Sequence, residues 1–138
     1  MSYPNIPVQR THDWDRKTAN AVNHLLNLVE YCVVEIAGMP DAAQEVLDRE
    51  FPIALTIDGT SCVLRVKDGG VAPTSDAVFT ASVSGSTIGT GTIPAGETEG
   101  SWTFTTLDIP DFTQFLITAP NPQDATLSDI IIAIALGE

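Results

Sequence analysis

Positive charge is scarce in this chain. Its 138 residues hold 6 Lys and Arg against 18 Asp and Glu, for a formal charge of −12. Affinity for nucleic acid comes largely from neutralising phosphates, so this field excludes sequence-independent binding to DNA or RNA. Anionic membrane surfaces are disfavoured for the same reason. Histidine is also scarce: His12 and His24 are the only two, and neither has a sequence neighbour suited to act as base or orienter. Cys32 and Cys62 lie far apart with no metal-ligand spacing, which excludes a disulfide scaffold. Long hydrophobic runs are missing. The longest, Ile130 to Leu136, is far too short to span a bilayer, so no membrane insertion is expected. Met1 to Asn5 lacks the apolar core of a secretory leader, and no such leader is expected.

What remains is enough for a core. Apolar residues make up 43% of the chain, which argues against wholesale disorder. The composition shifts near Pro52. Four of the six basic residues (Arg10, Arg16, Lys17, Arg49) fall before it, and nine of the ten glycines after it. Two regions are expected: 1–51 for anchoring and oligomerisation, and 52–138 as a β domain.

Residues 1–12 hold Pro4 and Pro7 without any periodic pattern and read as an extended arm. Asp13 is a good helix N-cap, and Asp15 in the first turn suits the helix dipole. A long helix is expected from there to about Ala37, where Gly38 and Pro40 would stop it. Val22, Leu25, Val29, Cys32 and Ile36 repeat at steps of 3, 4, 3 and 4, which is the seam of a coiled coil. Leu26 and Val33 widen that stripe toward a trimer. The alternative is an amphipathic helix lying on its own domain. A short second helix is expected over Asp41 to Arg49.

After Pro52 the period becomes two. Ile53, Leu55 and Ile57 alternate with polar or small residues, as do Cys62, Leu64 and Val66, then Phe79, Ala81 and Val83, then Trp102 and Phe104. Phe115 and Ile117 form a shorter run, and Ile130 to Leu136 is apolar on both faces. Turn sequences such as Asp58-Gly59 and Pro120-Asn121-Pro122 separate them. Seven or eight short strands without an intervening long helix predict an antiparallel sandwich or jelly roll. The expected fold class is therefore α+β, mainly β.

The residues offer little catalytic chemistry. Cys62 reads as a small buried hydrophobe, as does Cys32. The glycine-rich stretch from Gly85 to Gly100 lacks the Gly-Lys-Ser/Thr of a phosphate loop and reads as a long β-loop. Asp58, Asp68, Asp76, Asp108 and Asp111 could serve calcium from loops, but solvated carboxylates that begin turns are the favoured reading. No enzyme, cofactor or metal is expected. The β region carries 21 Ser and Thr, which suits packing against other subunits. Trp102, Phe104, Phe112 and Phe115 read as core, leaving Tyr3 and Trp14 free for a partner.

The stretch DWDRKTANAVNHLLN, Asp13 to Asn27, resembles the opening of small tailed-bacteriophage virion proteins. The matching residues are Trp14, Arg16, Lys17, Ala21, Asn23, Leu25 and Leu26. That resemblance implies a virion location, an N-terminal segment anchored to another particle protein, and a trimeric β domain projecting outward. Tyr3, Trp14, Arg16 and Lys17 are the anchoring candidates it points to, with residues 1–14 meeting the other virion protein. A fibre, neck, adaptor or capsid decoration role fits equally. The segment Thr92 to Thr105 separately resembles the Ile-Pro-Ala-Gly turn of immunoglobulin-like and calcium-exchanger-type β domains, which implies a sandwich only. A second functional expectation is a lectin-like sandwich that binds host glycan.

Overall fold

The computed structural model describes residues 30–138. The chain there is an antiparallel β-sandwich of ten strands. In chain order they are β1 (Glu30–Ile36), β2 (Glu45–Glu50), β3 (Leu55–Ile57), β4 (Val63–Val71) and β5 (Ala77–Val83). Then follow β6 (Ser86–Ile93), β7 (Ser101–Phe104), β8 (Asp108–Ile109), β9 (Gln114–Thr118) and β10 (Ser128–Gly137). The first sheet runs β1-β10-β3-β8, with β4 also paired to β10. The second runs β2-β9-β5-β6-β7.

This corrects the expected α+β class. No helix is present among the described residues, and the helix expected to reach Ala37 is a strand over its described part. Residues 30 to 36 pair in unbroken register with residues 136 to 130 of β10. The physical reason is alternation. Cys32, Val34 and Ile36 face the same side as their partners Ile134, Ile132 and Ile130, so one apolar row meets another. β-Branched residues suit that pleated surface better than a helix. The short helix expected over Asp41 to Arg49 is also overturned. A turn there leads into β2, whose backbone pairs with β9. Residues 30–50 thus supply one strand to each sheet. The expected glycine-rich loop is overturned in part: Ser86–Ile93 is β6, paired on both sides.

The core lies between the sheets. Ile130, Ile132, Ile134, Leu64 and Ile57 fill it from the first sheet, and Phe79, Phe115, Ile117 and Ile93 from the second; all are buried. Burying such a side chain fully is worth about 1.5–3 kcal/mol. One cross-sheet tie is polar: Trp102 Nε1 donates to the Val63 carbonyl at 3.2 Å. Its indole stacks on Phe104 with centroids 5.6 Å apart.

Glycine is required beneath that indole. Gly91 sits between Phe79 and Trp102 in one cross-strand row. A Cβ there would lie 2.7 Å from Trp102 Cδ2 and 2.9 Å from Leu64 Cδ2. Gly91→Ala is therefore expected to cost about 1–3 kcal/mol by overpacking. Urea unfolding followed by Trp fluorescence checks it, and an unchanged midpoint would mean the indole can move aside.

Candidate functional site

One surface unlike a solvated exterior is the outer face of the first sheet. Its side chains alternate with the core residues along each strand. From β1 come Tyr31, Val33 and Glu35; from β10, Ala135, Ala133 and Ile131; from β4, Val63 and Arg65. Ala133 lies between Val33 and Val63, and Ala135 lies opposite Tyr31. The two alanines form a low, buried floor, and the flanking residues rise beside it: Tyr31 is 54% exposed and Val33 53%. Val63 is exposed as well. Exposed apolar residues gathered on one face mark an interaction surface more often than isolated ones do.

Charge borders this patch instead of crossing it. Lys67 Nζ meets Glu35 Oε1 at 2.9 Å. The Glu35 carboxylate holds the Lys67 ammonium above its ordinary pKa by hydrogen bond and charge. Both side chains are more than half exposed, so the pair contributes little to stability. Its effect is to neutralise the carboxylate that β1 presents on this face.

Several of the described carboxylates brace loops, either their own or a neighbouring one. Asp58 accepts hydrogen bonds from Thr60 N and Oγ1 and from Ser61 Oγ. The Thr60 and Ser61 side-chain bonds lower its pKa most. Asp76 accepts from Ala95 N at 3.0 Å. Among the described residues no group of three or more His, Cys, Asp and Glu side chains comes together as a metal cluster. Asp58, Asp68, Asp76, Asp108 and Asp111 are thus not gathered by the fold.

Asp124 is the most heavily engaged carboxylate described, and it is not among the carboxylates that the sequence singles out. Its oxygens accept from the backbone N–H of Thr74, Ser75, Thr126 and Leu127. They accept as well from the hydroxyls of Thr74, Ser75 and Thr126. Burial pushes this carboxyl up, and the backbone bonds from Thr126, Thr74, Leu127 and Ser75 more than reverse it, leaving it far below the ordinary carboxylate range. The clamp joins the β4–β5 and β9–β10 loops.

The expected site residues divide. Cys32 and Ile36, expected in an oligomerisation seam, point into the sandwich and are buried against the chain's own core. Burial pushes the Cys32 thiol up, with Arg49 opposing. Val22, Leu25 and Val29 of the same seam lie outside the described residues, as do Tyr3, Trp14, Arg16 and Lys17. Cys62 is half-buried; its thiol donates to the Asp58 carbonyl at 3.3 Å and accepts from Ala135 N at 3.4 Å. Phe112, expected in the core, is 66% exposed at a backbone φ of 54°. Tyr31 and Val33 were missed as surface residues because the helical reading gave them no common face. The alternation of Tyr31, Val33 and Glu35 with Cys32, Val34 and Ile36 was the available signal.

The class defined by this fold is an antiparallel β-sandwich with an apolar outer face. No family model, curated protein or solved structure matches the chain.

Proposed function

We propose that the protein is a non-enzymatic structural component of a bacteriophage virion. It works by contact: it associates with further copies of itself, is anchored by its N-terminal segment, and projects the sandwich outward. The virion setting rests on the resemblance over Asp13 to Asn27. The observation that carries the assembly role is the outer face of the first sheet, where Tyr31, Val33 and Val63 stand exposed around Ala133 and Ala135. The partner at the β1 border of that face is a second copy of the chain.

The rest of the surface agrees with a subunit that must avoid other partners. Residues 30–138 carry sixteen acids against Arg49, Arg65 and Lys67. Such an excess keeps a protein soluble and off nucleic acid, and leaves the apolar face as its adhesive part. Light scattering of the full chain in solution is the test. A mass at a multiple of 14.7 kDa is expected. A clean 14.7 kDa species across micromolar concentrations would overturn the reading.

A further inference from the structure

We propose that β1 is the docking edge of this protein and that it pairs antiparallel with β1 of a second copy, centred on Val33. The proposal rests on the self-association put forward above and names its contact.

Strand edges are liabilities that proteins usually blunt with charge, bulges or brevity. The other edges described are blunted. β8 has two residues. β4 and the chain entering β7 close on each other, with Val66 N donating to the Thr98 carbonyl at 2.7 Å and Gly100 N to the Leu64 carbonyl at 2.8 Å. β2 carries Glu45, Asp48, Arg49 and Glu50 in six residues, and its register is interrupted between Glu45 and Leu47. β1 is the least defended: it is neither short nor bulged, and its two charges, Glu30 and Glu35, lie toward its ends. It runs seven residues without a register shift against β10. It is free of charge from Tyr31 to Val34 and contains no proline. Among the described residues no strand pairs with its other side.

The sequence of β1 is compatible with itself in reverse. Centring two copies on Val33 sets Val33 against Val33, Cys32 against Val34, and Tyr31 against Glu35. Glu30 then falls opposite Ile36, so no carboxylate faces another. The same operation on β2 would set Glu45 against Glu50 and Leu47 against Asp48, which opposes like charges and buries one beside an aliphatic group. Like charges directly opposite each other destabilise a strand pair, whereas β-branched and aromatic partners support it. The pairing would join two first sheets into one continuous sheet and bring the exposed Tyr31 and Val33 side chains of both copies together. A two-fold contact of this kind is self-complementary and closed.

Charge exchange at the symmetry axis tests this in the full chain. Val33 is half-exposed, so both Val33→Lys and Val33→Asp are expected to leave the circular dichroism spectrum unchanged. Each alone places like charges face to face and is expected to raise the dimer dissociation constant by about tenfold or more. Mixing the two variants is expected to restore association as a mixed pair. Because each copy carries −12, added salt is expected to tighten the wild-type dimer by screening repulsion. Loss in each variant with recovery on mixing upholds the proposal. A wild-type oligomer that persists in both variants overturns the β1 contact while leaving self-association intact. Loss without recovery overturns the centring on Val33. A wild-type oligomer weakened by salt overturns the proposal in favour of the basic residues Arg10, Arg16 and Lys17 docking on the acidic sandwich. A wild-type monomer overturns both readings.

Discussion

Replacing Phe79 by alanine is expected to cost about 3–5 kcal/mol and to lower the melting temperature by about 10–20 °C. Phe79 is fully buried in β5, the central strand of the second sheet. Its cross-strand neighbour is Gly91, which has no side chain to move into the space. Trp102, next in the row, is held over Gly91 by its bond to the Val63 carbonyl and by stacking on Phe104. The site therefore cannot collapse easily, which places the variant toward the costly end of large-to-small substitutions. Phe79→Leu, which retains most of the volume, should cost clearly less. Calorimetry of both variants checks the pair. Equal losses would show that shape, not cavity volume, decides.

Asp124→Ala is expected to cost about 2–4 kcal/mol, because it strips the shared acceptor from four backbone donors and three hydroxyls. A pH dependence follows. An unfolded Asp titrates near 3.9, and Asp124 titrates lower in the folded chain. Its contribution to stability is therefore fully present above about pH 5 and shrinks as the pH falls through and below 4. Wild type should lose stability between about pH 5 and 2.5 more steeply than the Asp124→Asn variant, which cannot ionise there. Thermal unfolding over that range measures the difference. Parallel curves would show that other carboxylates govern the acid limb.

Much of the sandwich was legible in the sequence, because its strands alternate locally. Leu64 and Val66, Phe79 and Ala81, Phe115 and Ile117, and Ile130 to Leu136 all lie in strands at the expected positions. The first two strands were not legible for a shared reason: their partners are distant in sequence. Cys32 and Ile36 are four apart, a spacing that fits both a helical stripe and an even strand period. Only the row of Ile134, Ile132 and Ile130, about a hundred residues away, decides between them. In β2, Glu45, Leu47, Asp48 and Arg49 follow a proline and favour a helix start locally. Pairing with β9 overrides that preference. Gly89 and Gly91 make β6 look like a loop in the sequence, because glycine weakens a strand pattern; both admit the rings of Phe104 and Trp102. The surface was less legible than the core. Tyr31 and Val33 share a face only once β1 is a strand, and the Asp124 clamp depends on two loops meeting about fifty residues apart.

The position of β10 constrains when this chain can fold. β10 is the last strand described, yet β1, β3 and β4 all pair with it. Strands synthesised early therefore wait for one made late. A growing chain holds β1 without its partner, since β10 is not yet in place. Any interval between the synthesis of β4 and that of β10 leaves the same strand open to the wrong neighbours. The last ten-residue strand thus acts as a release point for β1, β3 and β4, and slow translation ahead of Ser128 would lengthen the exposure of the segment proposed above as the docking edge.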